Sequence, residues 1–530
     1  MLLLPLYFAL LALPQNFVND EFHTEGPQSS DIEFNRRIHL DLTGRIPSPR
    51  QIREFIANPS PDKRDQLIDH LLQSTEFSDK WTMWMGDWLQ NSTAGIYGGT
   101  TATRNQFYLW IRAGVREGRS LRAFATDVLL ADQESATAQT GGFLASTEVN
   151  TGPKEDSWDN MFSKSATVFL GLSHYDCVLC HSGQGHLEPV SLWGSRTSRL
   201  EAQRMAAFFT HTFSYPGIDD EAAGLQFYAT NGYRMDTDSG NRPNRIPSDG
   251  GDVLKPAYRD GSQPGGDPTK WRAFFTTKIV DDPMFARNIA NRLWKQLFGL
   301  ALAEPFDALD PARLDPANPP PSPWTLQASH PALLEKLAQS LRDSDFDLRA
   351  MIRLLARSAA YQMASPSHLP RRLDAEEVHD AVVTATGVAN VYTISNLPDP
   401  IRWAMQAPDA SEPLDDHDTK DFLDAFYRGD RAGIPRSAAS SLLQSLKLLS
   451  DPFVLSRLRV TASPVLQRIA AMDSPDGMVD ELFLAFLSRY PSESEKWESL
   501  DAIQKAGSHQ RAVEDLAWAL VNRTDFLFCY

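Results

Sequence analysis

Cysteine is scarce in this chain, with three among 530 residues. Three cysteines exclude a small scaffold that is held together by disulfides. Beyond the first 15 residues no apolar run reaches the roughly 20 residues that a membrane-spanning helix needs, so we expect no integral membrane span in the mature chain. Basic residues are also outnumbered, 51 Lys and Arg against 68 Asp and Glu. The resulting net charge of -17 argues against a broad nucleic-acid surface and fits a basic partner protein better.

The chain opens on an apolar run from Met1 to Gln15 with no Lys or Arg before it. The run is too short to cross a bilayer as a helix and resembles the hydrophobic part of a secretory signal. We therefore expect residues 1–20 to be a signal peptide and the mature protein to be exported, to the periplasm. The alternative is that the run is a buried N-terminal segment.

The length of the chain exceeds the roughly 100 to 200 residues of an ordinary domain. Hydrophobic residues make up 42% of it, and 12 Trp with 28 Phe can fill substantial cores. Apolar residues recur at helical spacing before residue 216 and after residue 270, whereas residues 216–270 are dense in Gly, Pro, Asp and Asn. We therefore predict a mainly α protein with two helical domains, 21–215 and 271–530, joined by a loop-rich connector over 216–270.

Local signals place some of the elements. Trp158, Met161 and Phe162 begin an apolar stripe that predicts a helix leading towards residue 172. Asp282 followed by Pro283 is a good helix start, and this helix should run to Gly299. The acidic, Pro-containing stretch near 397–419 predicts an excursion over the surface.

One motif carries specific chemistry, Cys177-Val178-Leu179-Cys180-His181. Cys-x-x-Cys-His is the attachment sequence for haem c, because two thiols one turn apart can form thioethers while the next His binds the iron. Cys177 and Cys180 could instead form a redox disulfide, or bind zinc with His181 or His186 and an unidentified fourth ligand. The main hypothesis is one covalent haem c with His181 as its axial ligand.

The ligand on the opposite face of the iron does not follow from the sequence. A Met or His there would favour electron transfer, whereas an open position would permit binding of a small molecule or peroxide chemistry. Met161, Met205 and His211 are weak candidates, each of which is more often a packing or surface residue. His186 lies only five residues beyond His181 and would struggle to reach the other face.

Longer stretches resemble a known pair of domains. The N-terminal part is similar to the planctomycete-cytochrome-like domain of unknown function, through Phe34-Asn-Arg-Arg-Ile-His-Leu-Asp-Leu-Thr-Gly44, Ile46-Pro-Ser-Pro49, Leu67-Ile-Asp-His-Leu-Leu-Gln-Ser74, Phe169-Leu-Gly-Leu172 and the cysteine motif. The C-terminal part resembles its usual partner domain, through Asp282 to Gly299, Ser329-His-Pro-Ala-Leu-Leu334, Arg372-Leu-Asp-Ala-Glu376, Gln444 within Ser440 to Leu446, and Leu487-Ser-Arg-Tyr-Pro491. The resemblance implies an exported protein with a cytochrome-like segment and no settled reaction. The family typically continues its motif as His-Asp-His-Pro, whereas His181 is followed here by Ser-Gly-Gln-Gly-His186, so a site that needs the Asp-His pair is in doubt.

The densest polar block of the C-terminal match consists of Arg287, Asn288, Asn291 and Arg292. Arg287 shares a helix face with Asn291, and Asn288 shares one with Arg292. These side chains could bind haem propionates or an anionic substrate through charge-assisted hydrogen bonds. The equally good alternative is that they are buried polar groups that tie helices to loops.

Three functions remain open at this level. The first is an exported monohaem c-type protein that transfers electrons to a redox partner protein. The second is an exported enzyme, either a haem-dependent oxidoreductase or one that acts on a carbohydrate or other polymer, because an electron carrier needs far fewer than 530 residues. The third is a haem-free interaction module with a disulfide between Cys177 and Cys180. No Gly-x-Ser-x-Gly, His-Glu-x-x-His or phosphate-binding loop identifies catalytic residues, and substrate and oligomeric state do not follow from the sequence.

Overall fold

The computed structural model describes residues 17–22, 26–93, 100–131, 138–215, 223–247, 252–365 and 367–530. Most of the predicted signal peptide, residues 1–16, lies outside these ranges, and residues 17–20 belong to a short helix. The fold is mainly helical, which confirms the predicted class. No helix of the described ranges is long and apolar enough to cross a membrane.

The first part of the chain folds into twelve α-helices within the described ranges. They are α1 (Phe17–Glu21), α2 (Asp31–Thr43), α3 (Pro49–Ala57), α4 (Lys63–Leu72), α5 (Thr75–Trp88), α6 (Thr101–Glu117), α7 (Leu121–Leu130), α8 (Gly142–Ala145), α9 (Lys154–Ser165), α10 (Tyr175–Val178), α11 (Leu192–Arg196) and α12 (Arg199–Ala206). Serine and threonine side chains cap many of their N-termini. Ser48, for example, accepts from the backbone of Gln51 while the Gln51 side chain accepts from Ser48, a reciprocal capping box.

The predicted connector contains short strands between irregular segments. Strand β1 (Thr212–Tyr215) pairs antiparallel with β2 (Gly224–Phe227), with Thr212 opposite Phe227. Strand β3 (Tyr233–Arg234) pairs antiparallel with β4 (Val253–Leu254). Such short ladders cannot form a core of their own, so the connector depends on the helices beside it.

The second part of the chain is again helical. Its α-helices are α13 (Trp271–Asp281), α14 (Pro283–Phe298), α15 (Pro331–Asp343), α16 (Leu348–Ala356), α17 (Ala375–Thr386), α18 (His417–Asp424), α19 (Leu442–Ser450), α20 (Pro452–Arg457), α21 (Pro464–Ala470), α22 (Pro475–Leu487), α23 (Glu493–Lys505) and α24 (His509–Val521). Strands β5 (Arg371–Arg372) and β6 (Phe528–Cys529) join the C-terminus to the start of α17. The predicted helix over 283–299 is confirmed, because Asp282 accepts from the backbone of Met284 and Gly299 ends the helix at φ 82°.

Two large hydrophobic cores hold these helices together. The first core contains buried residues between Phe17 and Tyr361. The second contains residues between Leu373 and Cys529, together with Leu40 and Ile46 from the region of α2. Helices α13 to α16 therefore share a core with the N-terminal helices. The division into 21–215, 216–270 and 271–530 stays a prediction, but the packing of the described residues changes at about residue 365 rather than at 271.

The stretch near 397–419 is only partly a surface excursion, and that prediction was wrong for its middle. Asp409 and Glu412 are buried there, because the fully buried guanidinium of Arg104 in α6 lies 3.1 Å from Asp409 and 2.6 Å from Glu412. An acidic segment enters the interior when a buried cation compensates its charge. The composition of the segment shows its carboxylates but not the distant arginine that binds them.

Candidate functional site

The Cys-x-x-Cys-His motif lies at the surface on a short helix and the turn after it. Cys177 belongs to α10 and is exposed, while Cys180 and His181 follow the helix and are partly buried. Between the cysteines, Val178 and Leu179 are fully buried in the first core. These two apolar side chains anchor the turn in the core. Both thiols are free and lie on the outer side of the turn.

A π-helical turn precedes the motif in the chain. Helix α9 continues into the π-helical residues Ala166–Leu170, which end at Gly171 with φ 69°. The carbonyl of Val168 in this turn accepts from Trp88 Nε1 at 2.9 Å and from Asn288 Nδ2 at 2.8 Å. Arg292 Nε donates to Asn288 Oδ1 at 2.9 Å and so holds that amide in place. Helix α14 therefore positions the turn that leads into the motif.

The other two members of the predicted polar block also have partners within the chain. Arg287 Nε lies 2.7 Å from Glu335 in α15. Asn291 is fully buried, and its side chain donates to the carbonyl of Ala303 and accepts from the amide of the same residue. These contacts favour the structural alternative for Arg287, Asn288, Asn291 and Arg292 over a role in binding an external anion.

An arginine from the connector contacts the motif directly. Arg242 Nη1 lies 3.4 Å from Cys180 Sγ and donates to the carbonyl of Asp176, and its Nη2 donates to Asn160 and to the Asp176 carboxylate, each at 2.9 Å. The side chain of Arg242 is mostly buried and also faces Asp159 at 3.5 Å. Sequence reasoning missed this residue because 62 positions separate it from Cys180 in a segment without periodicity.

A buried ion network anchors the loop that carries Arg242. Arg245 is fully buried and donates to Asp156 at 2.8 Å, to Asp159 at 2.6 Å and to the hydroxyl of Tyr233 at 3.0 Å. Tyr233 in turn donates to Asp159 at 2.7 Å. Because both aspartates belong to α9, the loop is fixed to the same helix that leads into the motif.

The surroundings of Cys177 affect the pKa of its thiol. Burial raises the pKa of Cys177 above its ordinary value, and the neighbouring Asp176 and Cys180 add to that shift. Thiols that take part in disulfide exchange generally have a lowered pKa, because the thiolate is the reacting form. The surroundings of Cys177 therefore disfavour a thiol-exchange role.

The imidazole of His181 is oriented by a backbone contact. Its Nδ1 donates to the carbonyl of Ser182 at 2.9 Å, which leaves Nε2 as the nitrogen available to a ligand. The ring of His186 lies beside it, with ring centroids 4.1 Å apart. A histidine that binds a metal commonly donates its other ring N–H to a carbonyl in this way.

The residues of the motif fit the attachment side of a haem c. Two free thiols and an imidazole with an available Nε2 are the donor set that this group requires. No group of three or more His, Cys, Asp or Glu side chains in the described ranges could hold a metal ion. The choice between haem and zinc at this motif stays a prediction.

The candidates for the opposite iron ligand lie at other places in the fold. Met161 and Met205 are fully buried in the first core. His211 stacks on Phe227 with centroids 5.4 Å apart and meets Trp271 edge-on at 5.3 Å. Within the described ranges no hydrogen bond or ring contact joins these three residues to the motif, and their role as ligands stays a prediction.

Comparison with known proteins identifies two domains along the chain. Residues 15–211 match PSCyt2, a protein of unknown function (DUF1549), and residues 275–503 match PSD1, a protein of unknown function (DUF1553). No curated protein and no solved structure matches significantly. The family resemblance deduced from the sequence motifs is thereby confirmed, and neither description assigns a reaction. Together the two matches cover most of the chain, which belongs to the proteins that combine a PSCyt2 domain with a following PSD1 domain.

Proposed function

We propose that the protein is an exported monohaem c-type protein that transfers electrons to a partner protein. The single observation that carries the proposal is the donor set at the surface, two free thiols at Cys177 and Cys180 beside His181, whose Nδ1 is held by a carbonyl. Cys177 and Cys180 would hold the haem through thioether bonds, and His181 Nε2 would bind the iron. When bound, the haem supplies one-electron chemistry.

The chain's own residues keep the attachment site rigid and accessible. Arg242 restrains Cys180 and the C-terminal end of α10, and Asn288 restrains the π-helical turn before it. The exposed position of Cys177 places the site where a partner protein can reach it. The net charge of -17 favours a partner with a basic surface, because opposite charges speed the encounter of two proteins.

Covalent haem attachment is tested by mass spectrometry of the full-length chain made with a c-type maturation system. We expect a mass increase of one haem that survives denaturation and is lost in the Cys177→Ser/Cys180→Ser double variant. Cys529→Ala, which removes a buried thiol elsewhere, is the matched control and should keep the haem. A purified chain that carries the mass of its sequence alone would refute the proposal.

The spectrum of the loaded protein tests the role of His181 separately. His181→Ala should keep the covalent mass increase, because the thioethers remain, but the absorption bands of the reduced haem should change as the axial ligand is lost. His186→Ala is the control, since this ring lies beside His181 without taking its place. Unchanged bands in His181→Ala would show that another residue binds the iron.

Export is tested on the same preparation. We expect the chain in the periplasmic fraction, with the apolar run from Met1 to Gln15 removed. Retention of the whole apolar run on a cytoplasmic protein would contradict the proposed export.

A further inference from the structure

A cavity lies between the two matched domains, away from the cysteine motif. It has a volume of about 240 Å³, with one wall formed by α6 and the other by the segment 397–401. Helix α6 lies within the PSCyt2 match and the segment lies within the PSD1 match. Ligand sites occur preferentially at such junctions between domains.

The walls of the cavity are largely apolar. The residues that contribute carbon surface are Tyr108, Leu109, Ala113, Leu397, Pro398 and Ile401. The hydroxyl of Tyr108 is already used, since it donates to the carbonyl of Gln406 at 2.8 Å. The cavity therefore offers a hydrophobic surface to the body of a ligand and leaves the polar recognition to charged residues.

Two arginines of α6, four residues apart, line the same cavity. Arg112 makes one weak contact, Nη2 to Asp79 at 3.4 Å, and its Nε is enclosed without a hydrogen-bond partner. Asp79 also accepts from Arg45 and from Gln406, each at 2.9 Å, so Arg112 shares this carboxylate with two closer donors. The exposed side chain of Arg116 has no ion-pair or hydrogen-bond partner among the described residues.

The charge at the cavity is unbalanced. Arg112 and Arg116 contribute two positive charges, and the exposed Asp399 contributes one negative charge. A guanidinium presents a planar set of N–H donors that matches the two oxygens of a carboxylate or sulfonate. We propose that this cavity binds a small organic monoanion with an apolar body.

Benzoate is a suitable probe, because it combines one carboxylate with one apolar ring. Binding to the full-length protein is measured by calorimetry, with benzamide as the neutral isostere. We expect saturable binding of benzoate with a dissociation constant of about 1 mM or lower and at least about tenfold weaker binding of benzamide. Equal affinity for the two probes, or no binding of benzoate, would overturn the proposal.

Three charge variants locate the site. Arg116→Gln should weaken benzoate binding about fivefold or more without unfolding the protein, because this exposed side chain forms no hydrogen bond or ion pair with the described residues. Asp399→Asn should strengthen binding about twofold, because it removes the repelling carboxylate. Arg402→Gln changes the charge equally at an exposed arginine just outside the cavity and should leave the affinity within about twofold. An equal loss in Arg402→Gln and Arg116→Gln would show unspecific attraction and refute the assigned site.

Discussion

The ion network between the two hydrophobic cores predicts a large effect from a single change, Glu377→Gln. Glu377 is fully buried and accepts from Lys80 at 2.8 Å, from two nitrogens of Arg371 at 2.7 and 2.9 Å, and from the amide of Asp374 at 2.9 Å. The glutamine of the variant has nearly the shape of glutamate. Its side-chain amide, however, directs N–H donors at the N–H donors of Lys80 and Arg371. Breaking a buried ion pair in this way costs about 3–5 kcal/mol. Because Asp41 still pairs with Arg371 at 2.7 Å, we expect a loss near the lower end, about 3 kcal/mol.

The assay is urea unfolding at pH 7, followed by tryptophan fluorescence. Glu54→Gln is the matched control, because Glu54 forms only an exposed pair with Arg50, and its effect should stay below about 0.5 kcal/mol. A loss below about 1 kcal/mol in Glu377→Gln would refute the reasoning, because it would mean that the buried cations Lys80 and Arg371 do not depend on this carboxylate.

The same network predicts a pH dependence. Burial alone would raise the pKa of Glu377, but Arg371 and Lys80 outweigh it and hold the pKa below its ordinary value of 4.5. The unfolded chain therefore takes up this proton at a higher pH than the folded chain. The stabilisation is complete above pH 4.5 and is lost as the pH falls below it, and the variant should lack this part of the acid sensitivity.

Three further changes test other parts of the structure. Burial lowers the pKa of Lys164 to about 7, so the stability of the wild-type protein rises between pH 7 and pH 10. In urea unfolding, Lys164→Met should be more stable than wild type by about 2 kcal/mol at pH 6 but not at pH 10. Asn288→Leu removes a buried donor to the Val168 carbonyl and should lower the free energy of unfolding by about 1–3 kcal/mol, whereas an unchanged urea midpoint would contradict its positioning role. Arg245→Met leaves the buried carboxylates of Asp156 and Asp159 poorly compensated and should lower the free energy of unfolding by about 3 kcal/mol, measured as a lower thermal midpoint. An unchanged midpoint would show that this network does not hold the connector loop.

The sequence was sufficient for elements whose signals are local. Asp282 with Pro283 and Gly299 marks both ends of α14, because capping and the left-handed end of a helix depend on neighbouring residues only. Helix α6 was missed, although Thr100 caps it and Gly118 ends it at φ 75°. Its face carries Arg104 and Asn105 in the interior, so its apolar periodicity is interrupted by buried polar residues that distant parts of the chain compensate.

Prediction of the candidate site was limited in the same way. The cysteine motif is contiguous and can be recognised directly in the sequence, whereas the role of His181 as an iron ligand stays a prediction. The residues that position it are distant in sequence, since Arg242 lies in the connector and Asn288 lies 107 or more positions from the motif on the C-terminal side. Hydrophobic spacing carries no information about such pairs, because they form only when the tertiary structure brings them together.

The positioning contacts join the cysteine motif to distant parts of a much larger helical protein. Arg242 of the connector contacts Cys180 directly. The π-helical turn that leads into the motif is held by α14, because its Val168 carbonyl accepts from Asn288. Helices α13 to α16 complete the core on which the buried residues Val178 and Leu179 rest. The PSCyt2 segment therefore shares both its core and its hydrogen bonds with the start of the PSD1 segment. On this basis the two domains form one structural unit around the motif, and the PSD1 domain contributes to the geometry of the cysteine motif although none of its residues belongs to it.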